Sequence, residues 1–370
     1  MVKCREIVGG GQRDATLDRI KGYGICLMVC GHSGFMHRNW IYLFHMALFF
    51  MASGYMWNDI HATSIKTLWR YFKKKIRSLY VPFVIINLFF TVTFNWFYRI
   101  GIYSSSNIDG ILSVQPLDKN GFIKTMLKVF AFSGGSQLAG ATWFLRTLFC
   151  VTVSNAIIVY VFKKLHIEKA YIYCMLLITG VGAMFVNNNW LFIGEILEKI
   201  GLRAYFASYF AYILGALVKR MKIMEQITKR KKEAVVISFL TLCFLNYVGE
   251  IELNVGHIEN IAFYLIASLA GWIMIAALAS NPSKINVLMS YIGRNSIWIL
   301  GLHFLSFKLV SFIWIRARGL HEVYLAAYPV IREVNFLWVA YFIAGVSIPL
   351  LIELLYRKLY ARWDCSNYSK

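Results

Sequence analysis

Long apolar runs separated by short basic segments dominate this chain and restrict what it can fold into. A helix needs about 20 mostly apolar residues to cross a bilayer. Inside lipid, a backbone satisfies its polar groups only as a helix or a closed barrel, and runs of this length favour the helix. Ten runs are legible, at roughly 20–36, 41–57, 79–98, 142–162, 171–187, 203–218, 234–249, 260–280, 295–315 and 336–356. The expected fold is an all-α integral membrane protein, a bundle of about ten transmembrane helices. Residues 1–370 are expected to form one membrane domain with no appended soluble domain. Composition agrees: 59% of residues are hydrophobic, 15% are charged, and mean hydropathy is +0.57. Soluble domains carry about 25% charged residues.

The net charge of +21 has a pattern. Nucleic-acid binders place such charge on a soluble domain, so no nucleic-acid partner is expected. With the N-terminus placed inside, 27 of the 39 Lys and Arg fall in inner segments. That alternation satisfies the positive-inside rule with both termini cytoplasmic, and anionic lipid headgroups become the first partners. Arg316 and Arg318, in an outer loop, depart from it. The location implied is the cell (inner, cytoplasmic) membrane, with many passes. The first twenty-one residues are polar and basic, with no cleavable leader expected. Between spans, amphipathic pieces are expected near 120–132 and from Trp190 to Ile200.

Ionisable groups inside apolar runs are costly and tend to serve function. His32 lies in the first run, eleven residues after Lys21. Eleven residues turn a helix three times plus about 20°, so both share one face about 16 Å apart. A cationic anchor below an imidazole suits an anionic substrate reaching upward to a base. An interhelical hydrogen bond is the plainer role for such a histidine. His45 opens the second run, and Ser53-Gly54 later in it permits close helix contact. The stretch from Arg70 to Arg77 flanks the third run, and its cation density also suits pyrophosphate. Trp143 and Arg146 start the fourth run. His303 and Lys308 sit in the ninth, where His303 reads first as an interhelical hydrogen bond and second as a site group.

The seven cysteines, Cys4 to Cys365, form no CxxC pair, which argues against a zinc site or disulfide scaffold. Gly9-Gly10-Gly11 lacks the lysine of a phosphate-binding loop. No metal site is expected.

Several segments together resemble the acyltransferase type 3 family. Leu17-Asp18-Arg19-Ile20-Lys21-Gly22, with His32 eleven residues after Lys21, resembles that family's opening segment. His45 to Tyr55, ending in Ser53-Gly54-Tyr55, resembles its second span. Lys75-Ile76-Arg77 matches its basic-x-basic motif, and Trp143-Phe144-Leu145 and Asn295-Ser296 to His303 resemble later segments. The resemblance covers nearly the whole chain, with Lys in two places where many members have Arg. Arg presents a planar fork that Lys lacks.

The resemblance implies a membrane acyltransferase. It moves an acyl group, often acetyl, from cytoplasmic acyl-CoA, a co-substrate and not a tightly bound cofactor, to a hydroxyl of a sugar or cell-surface glycan. His32 is the expected catalytic base, and Lys21, Lys75 and Arg77 the expected donor anchors. His45, Trp143, Arg146 and His303 are candidates for the acceptor side or for support of His32. Other polysaccharide-assembly proteins are possible partners. A glycan or lipid-precursor transporter, or a structural member of such an assembly, would share the span count and the buried ionisable groups.

Overall fold

A computed structural model describes residues 14–167, 170–188, 192–332 and 336–367. Cys4, Gly9-Gly10-Gly11, Trp190 and the side chain of Cys365 lie outside the described residues. Helix α1 spans Ala15–His32 and starts on Asp14, whose carboxylate accepts from the Thr16 and Leu17 N–H groups. That caps donors that a first turn leaves unpaired. Next come α2 (Arg38–Tyr42), α3 (His45–Tyr55), α4 (Ile65–Lys75), α5 (Val81–Val92), α6 (Phe94–Arg99) and α7 (Lys119–Phe130). The middle holds α8 (Trp143–Lys164), α9 (Tyr171–Asn187), α10 (Ile193–Lys199), α11 (Tyr205–Arg220), α12 (Ile223–Lys229) and α13 (Lys231–Val248). A two-residue antiparallel hairpin, β1 (Ile251–Glu252) and β2 (His257–Ile258), precedes α14 (Ile261–Ala279). The chain ends with α15 (Lys284–Arg294), α16 (Ser296–Arg318) and α17 (Leu337–Asn367).

Each expected apolar run falls on helical structure. Among the described residues, five stretches are long and apolar enough to cross a membrane: Ile65–Val92, Gln137–Lys164, Ile261–Ala279, Ser296–Arg318 and Leu337–Ala361. The chain is a nearly all-α, multi-pass membrane protein. Val81, Ile85, Phe89 and Val92 are exposed along one face of α5. Such a stripe is costly in water and at home among lipid tails.

The third span differs from its sequence boundary. The expectation began it at 79, leaving the basic stretch as a flank. In the structure α4 runs into a π-helical turn, Ile76–Tyr80, and on into α5 without a break. Pro82 at the start of α5 has no N–H and crowds the preceding turn, which a widened π turn accommodates. Hydropathy detects where lipid contact begins, not where the helix begins. The amphipathic pieces appear as α7 and as α10, which begins at Ile193.

Two crossings set the helix spacing. In the α1–α15 crossing, a Cβ on Gly22 would sit 2.0 Å from the Met289 carbonyl oxygen, and one on Gly293 would sit 1.9 Å from that of Asp18. In the α3–α11 crossing, a Cβ on Gly54 would sit 1.8 Å from the Tyr212 oxygen, and one on Gly215 2.0 Å from that of Met51. Backbone meets backbone at both, so no larger residue fits. The close contact expected at Gly54 is therefore present.

Polar contacts gather the helix ends into two faces. On one, Arg294 pairs with Asp18 at 3.1 Å, and Arg19 donates to Ala279 O at 3.0 Å. Lys219 Nζ donates to Trp57 O at 2.9 Å, and Lys163 Nζ to Asp59 O at 2.6 Å. This basic face holds the start of α1 and the ends of α3, α8, α11 and α14. The end of α1, the start of α8, the β1–β2 hairpin and the loop before α17 form the opposite face. There Arg316 pairs with Glu322 at 2.9 Å, and Arg318 lies over the Trp314 ring.

Candidate active site

His32 is the last residue of α1 and opens onto a cavity of about 570 Å³. Small-molecule sites commonly measure about 300–1,000 Å³. Tyr42, His45, Trp143, Phe304 and Tyr328 form much of its wall. These residues come from α2, α3, α8, α16 and the loop before α17, so only the fold brings them together.

The protonation pattern around His32 follows from one hydroxyl. Tyr42 Oη lies 3.2 Å from Gly31 O and 3.3 Å from His32 Nδ1. A carbonyl only accepts, so the single phenolic proton goes to Gly31. The Tyr42 oxygen then accepts from Nδ1–H of His32. This leaves His32 Nε2 with a free lone pair, the state a general base requires.

Two further imidazoles flank it. His303 stacks on His32 with ring centroids 5.6 Å apart and planes 24° apart. Its Nδ1 faces Ile299 O at 2.9 Å and Leu300 O at 3.1 Å, while its Nε2 has no partner among the described residues. The interhelical hydrogen bond expected of His303 is instead a bond to its own helix. His45 Nδ1 likewise meets Ile41 O at 3.0 Å, and its ring lies 5.1 Å from that of Tyr42. All three histidines therefore spend Nδ1 on an oxygen.

The roof is held from within the ninth run. Lys308, buried in α16, donates to Leu325 O at 3.0 Å and Ala327 O at 2.6 Å. It fixes the loop that carries Tyr328, whose N–H donates to Gly110 O at 2.8 Å. Burial pushes the Tyr328 phenol up, with Tyr103 and Tyr42 adding to the effect, so it stays a neutral donor. Its ring packs on Phe304 at 5.0 Å, and Phe304 packs on His32 at 5.1 Å.

A second cavity of about 300 Å³ adjoins the first, and Gly140 and Trp143 line both. Trp143 is thus the partition between them. Arg146 lines only the second. Its guanidinium donates to Gly201 O and, at 3.4 Å, to Phe132 O. Asn87, wholly buried in α5, holds this partition in place. Its Nδ2 donates to Phe83 O at 2.9 Å and Thr142 Oγ1 at 3.1 Å, and its Oδ1 accepts from Gly135 N at 3.4 Å. Sequence reading passed over Asn87, although an amide inside the 79–98 run was the available signal.

The expected donor anchors lie at the other face. Lys21 Nζ is 3.8 Å from Met56 Sδ, and the Lys75 ammonium lies 5.1 Å over the Tyr71 ring. Arg77 is exposed on the π-helical turn. The fold thus places His32, His45 and Trp143 on one cavity, His303 behind it and Arg146 beside it. Lys21, Lys75 and Arg77 stand toward the basic face, Lys21 about 16 Å from His32 along α1.

A scan against protein-family models matches residues 14–355 to an acyltransferase domain. The chain belongs to the acyltransferase type 3 family. Comparison with curated proteins and with solved structures gave no match. Family membership makes the protein a membrane acyltransferase in general terms, and the match covers the elements that build the His32 cavity and those of the basic face.

Proposed function

We propose that the protein transfers an acyl group, acetyl in the first instance, from acyl-CoA to a hydroxyl of a sugar or cell-surface glycan. The observation that carries this is the Tyr42–His32 contact, which leaves His32 Nε2 bare at the wall of a cavity. In this reading the membrane holds about ten spans, both termini are cytoplasmic, and the basic face meets the donor. Lys21, Lys75 and Arg77 hold the CoA phosphates through charge-assisted hydrogen bonds. The acceptor enters the cavity from the opposite face, past Trp143.

His32 Nε2 takes the proton from the acceptor hydroxyl as its oxygen attacks the thioester carbonyl. The tetrahedral intermediate collapses, the C–S bond breaks, and the CoA thiolate takes the proton back from the imidazolium. The products are an ester and free CoA thiol, with His32 neutral again. Histidine suits both halves because one imidazole nitrogen can take up a proton and give it back.

Transfer of label from acetyl-CoA to an acceptor by the purified protein tests this reading. Movement of a glycan precursor across vesicles without covalent change would instead support a transporter.

A further inference from the structure

The mouth of the His32 cavity carries more positive charge than a neutral sugar needs. Arg38 and Arg332 both line it, from separate segments. Arg38 starts α2 and lies four residues before Tyr42, so both side chains share one helix face. Arg332 follows Ile331, whose N–H is held by Tyr341 Oη at 3.4 Å. Among the described residues, Glu252 is the one acidic residue on the lining. Among the described residues neither arginine makes an ion pair with it or with any other carboxylate. The walls between are aromatic, including Tyr42, Trp143, Tyr328 and Trp338.

We infer that the acceptor carries an anionic group, a carboxylate or a phosphate, on the sugar whose hydroxyl is acylated. Guanidinium forks match such groups bidentately, and two of them at one mouth set the orientation of the acceptor. Aromatic walls take the apolar faces of the sugar ring, and Glu252 accepts from its hydroxyls. The arginines therefore select the acceptor and turn one hydroxyl toward His32 Nε2. This inference rests on the proposed function in one respect: the donor phosphates are held at the basic face, which leaves these arginines to the acceptor.

Binding tests it without requiring turnover. Calorimetry on the purified full chain in detergent compares glucuronate, glucose 6-phosphate and glucose, each with the wild type and with R38Q/R332Q. At least one anionic sugar should bind ten times more tightly than glucose or better. That preference should collapse in the double variant and weaken with added salt. Equal binding of charged and neutral sugars, or no binding by any of them, overturns the inference. So does competition by CoA for the same site, which would assign the arginines to the donor. Loss of acetyl transfer bears on the proposed function alone, whereas loss of the charge preference bears on the arginines alone.

Discussion

Tyr42 Oη lies 3.3 Å from His32 Nδ1 while donating to Gly31 O, which fixes the histidine with its Nε2 lone pair free. Tyr42→Phe removes the acceptor for Nδ1–H and lets the proton move to Nε2. A neutral hydrogen bond contributes about 1 kcal/mol, so kcat should fall about fivefold. The KM for acyl-CoA should not change, because Tyr42 is remote from the basic face. Steady-state kinetics separates the two, and a change in KM alone would count against this role.

Lys21 and Arg77 test the donor side. Charge-assisted hydrogen bonds contribute about 1.5–3 kcal/mol, so Lys21→Ala and Arg77→Ala should each raise the acyl-CoA KM about tenfold or more. Raised salt should shrink the effect. A drop in folding yield with unchanged KM would make them orientation residues.

The α3–α11 crossing should not tolerate bulk. Gly54→Val places carbon where the Tyr212 carbonyl oxygen lies 1.8 Å from an added Cβ. Overpacking costs about 1–3 kcal/mol, and here backbone must move. The variant should show a clearly lower Tm in detergent, and an unchanged Tm would mean that the crossing is looser than described.

The basic face carries a pH response. His61 stacks on Tyr71 with ring centroids 4.7 Å apart. Burial first, and then Lys74 and Lys75, hold its pKa below the usual value of 6.5. The unfolded chain therefore binds this proton more readily, so stability is full above about pH 6.5 and declines as pH falls below it. His61→Phe keeps the stacking and removes the titration. Its Tm should fall less between pH 7 and pH 5 than that of the wild type.

Helix positions were legible because lipid leaves a strong mark on sequence: five of the described stretches are long and apolar enough to cross a membrane, and the apolar runs all fall on helices. The start of the third was not, since α4 is amphipathic and its cations hide a helix that continues through Pro82. His32 was legible because an imidazole in an apolar run stands out. Tyr42, Tyr328 and Phe304 were not, because tyrosine and phenylalanine are ordinary in membrane helices and only packing brings them to His32. Arg38 and Arg332 were not legible, because they fall between apolar runs and only the fold sets them on one cavity. Lys308 drew notice as a charge within a span, yet its role as a tether for the Tyr328 loop depends on carbonyl oxygens that no sequence pattern marks.

The most direct measurement is acyl transfer from labelled acetyl-CoA by purified His32→Ala, compared with the wild type at matched protein level and membrane insertion. General-base catalysis contributes about 10²–10⁴-fold, so transfer should drop by at least a hundredfold while the protein remains folded. Full activity in the variant would contradict the assignment of His32 as the base and with it the proposed route from donor to acceptor.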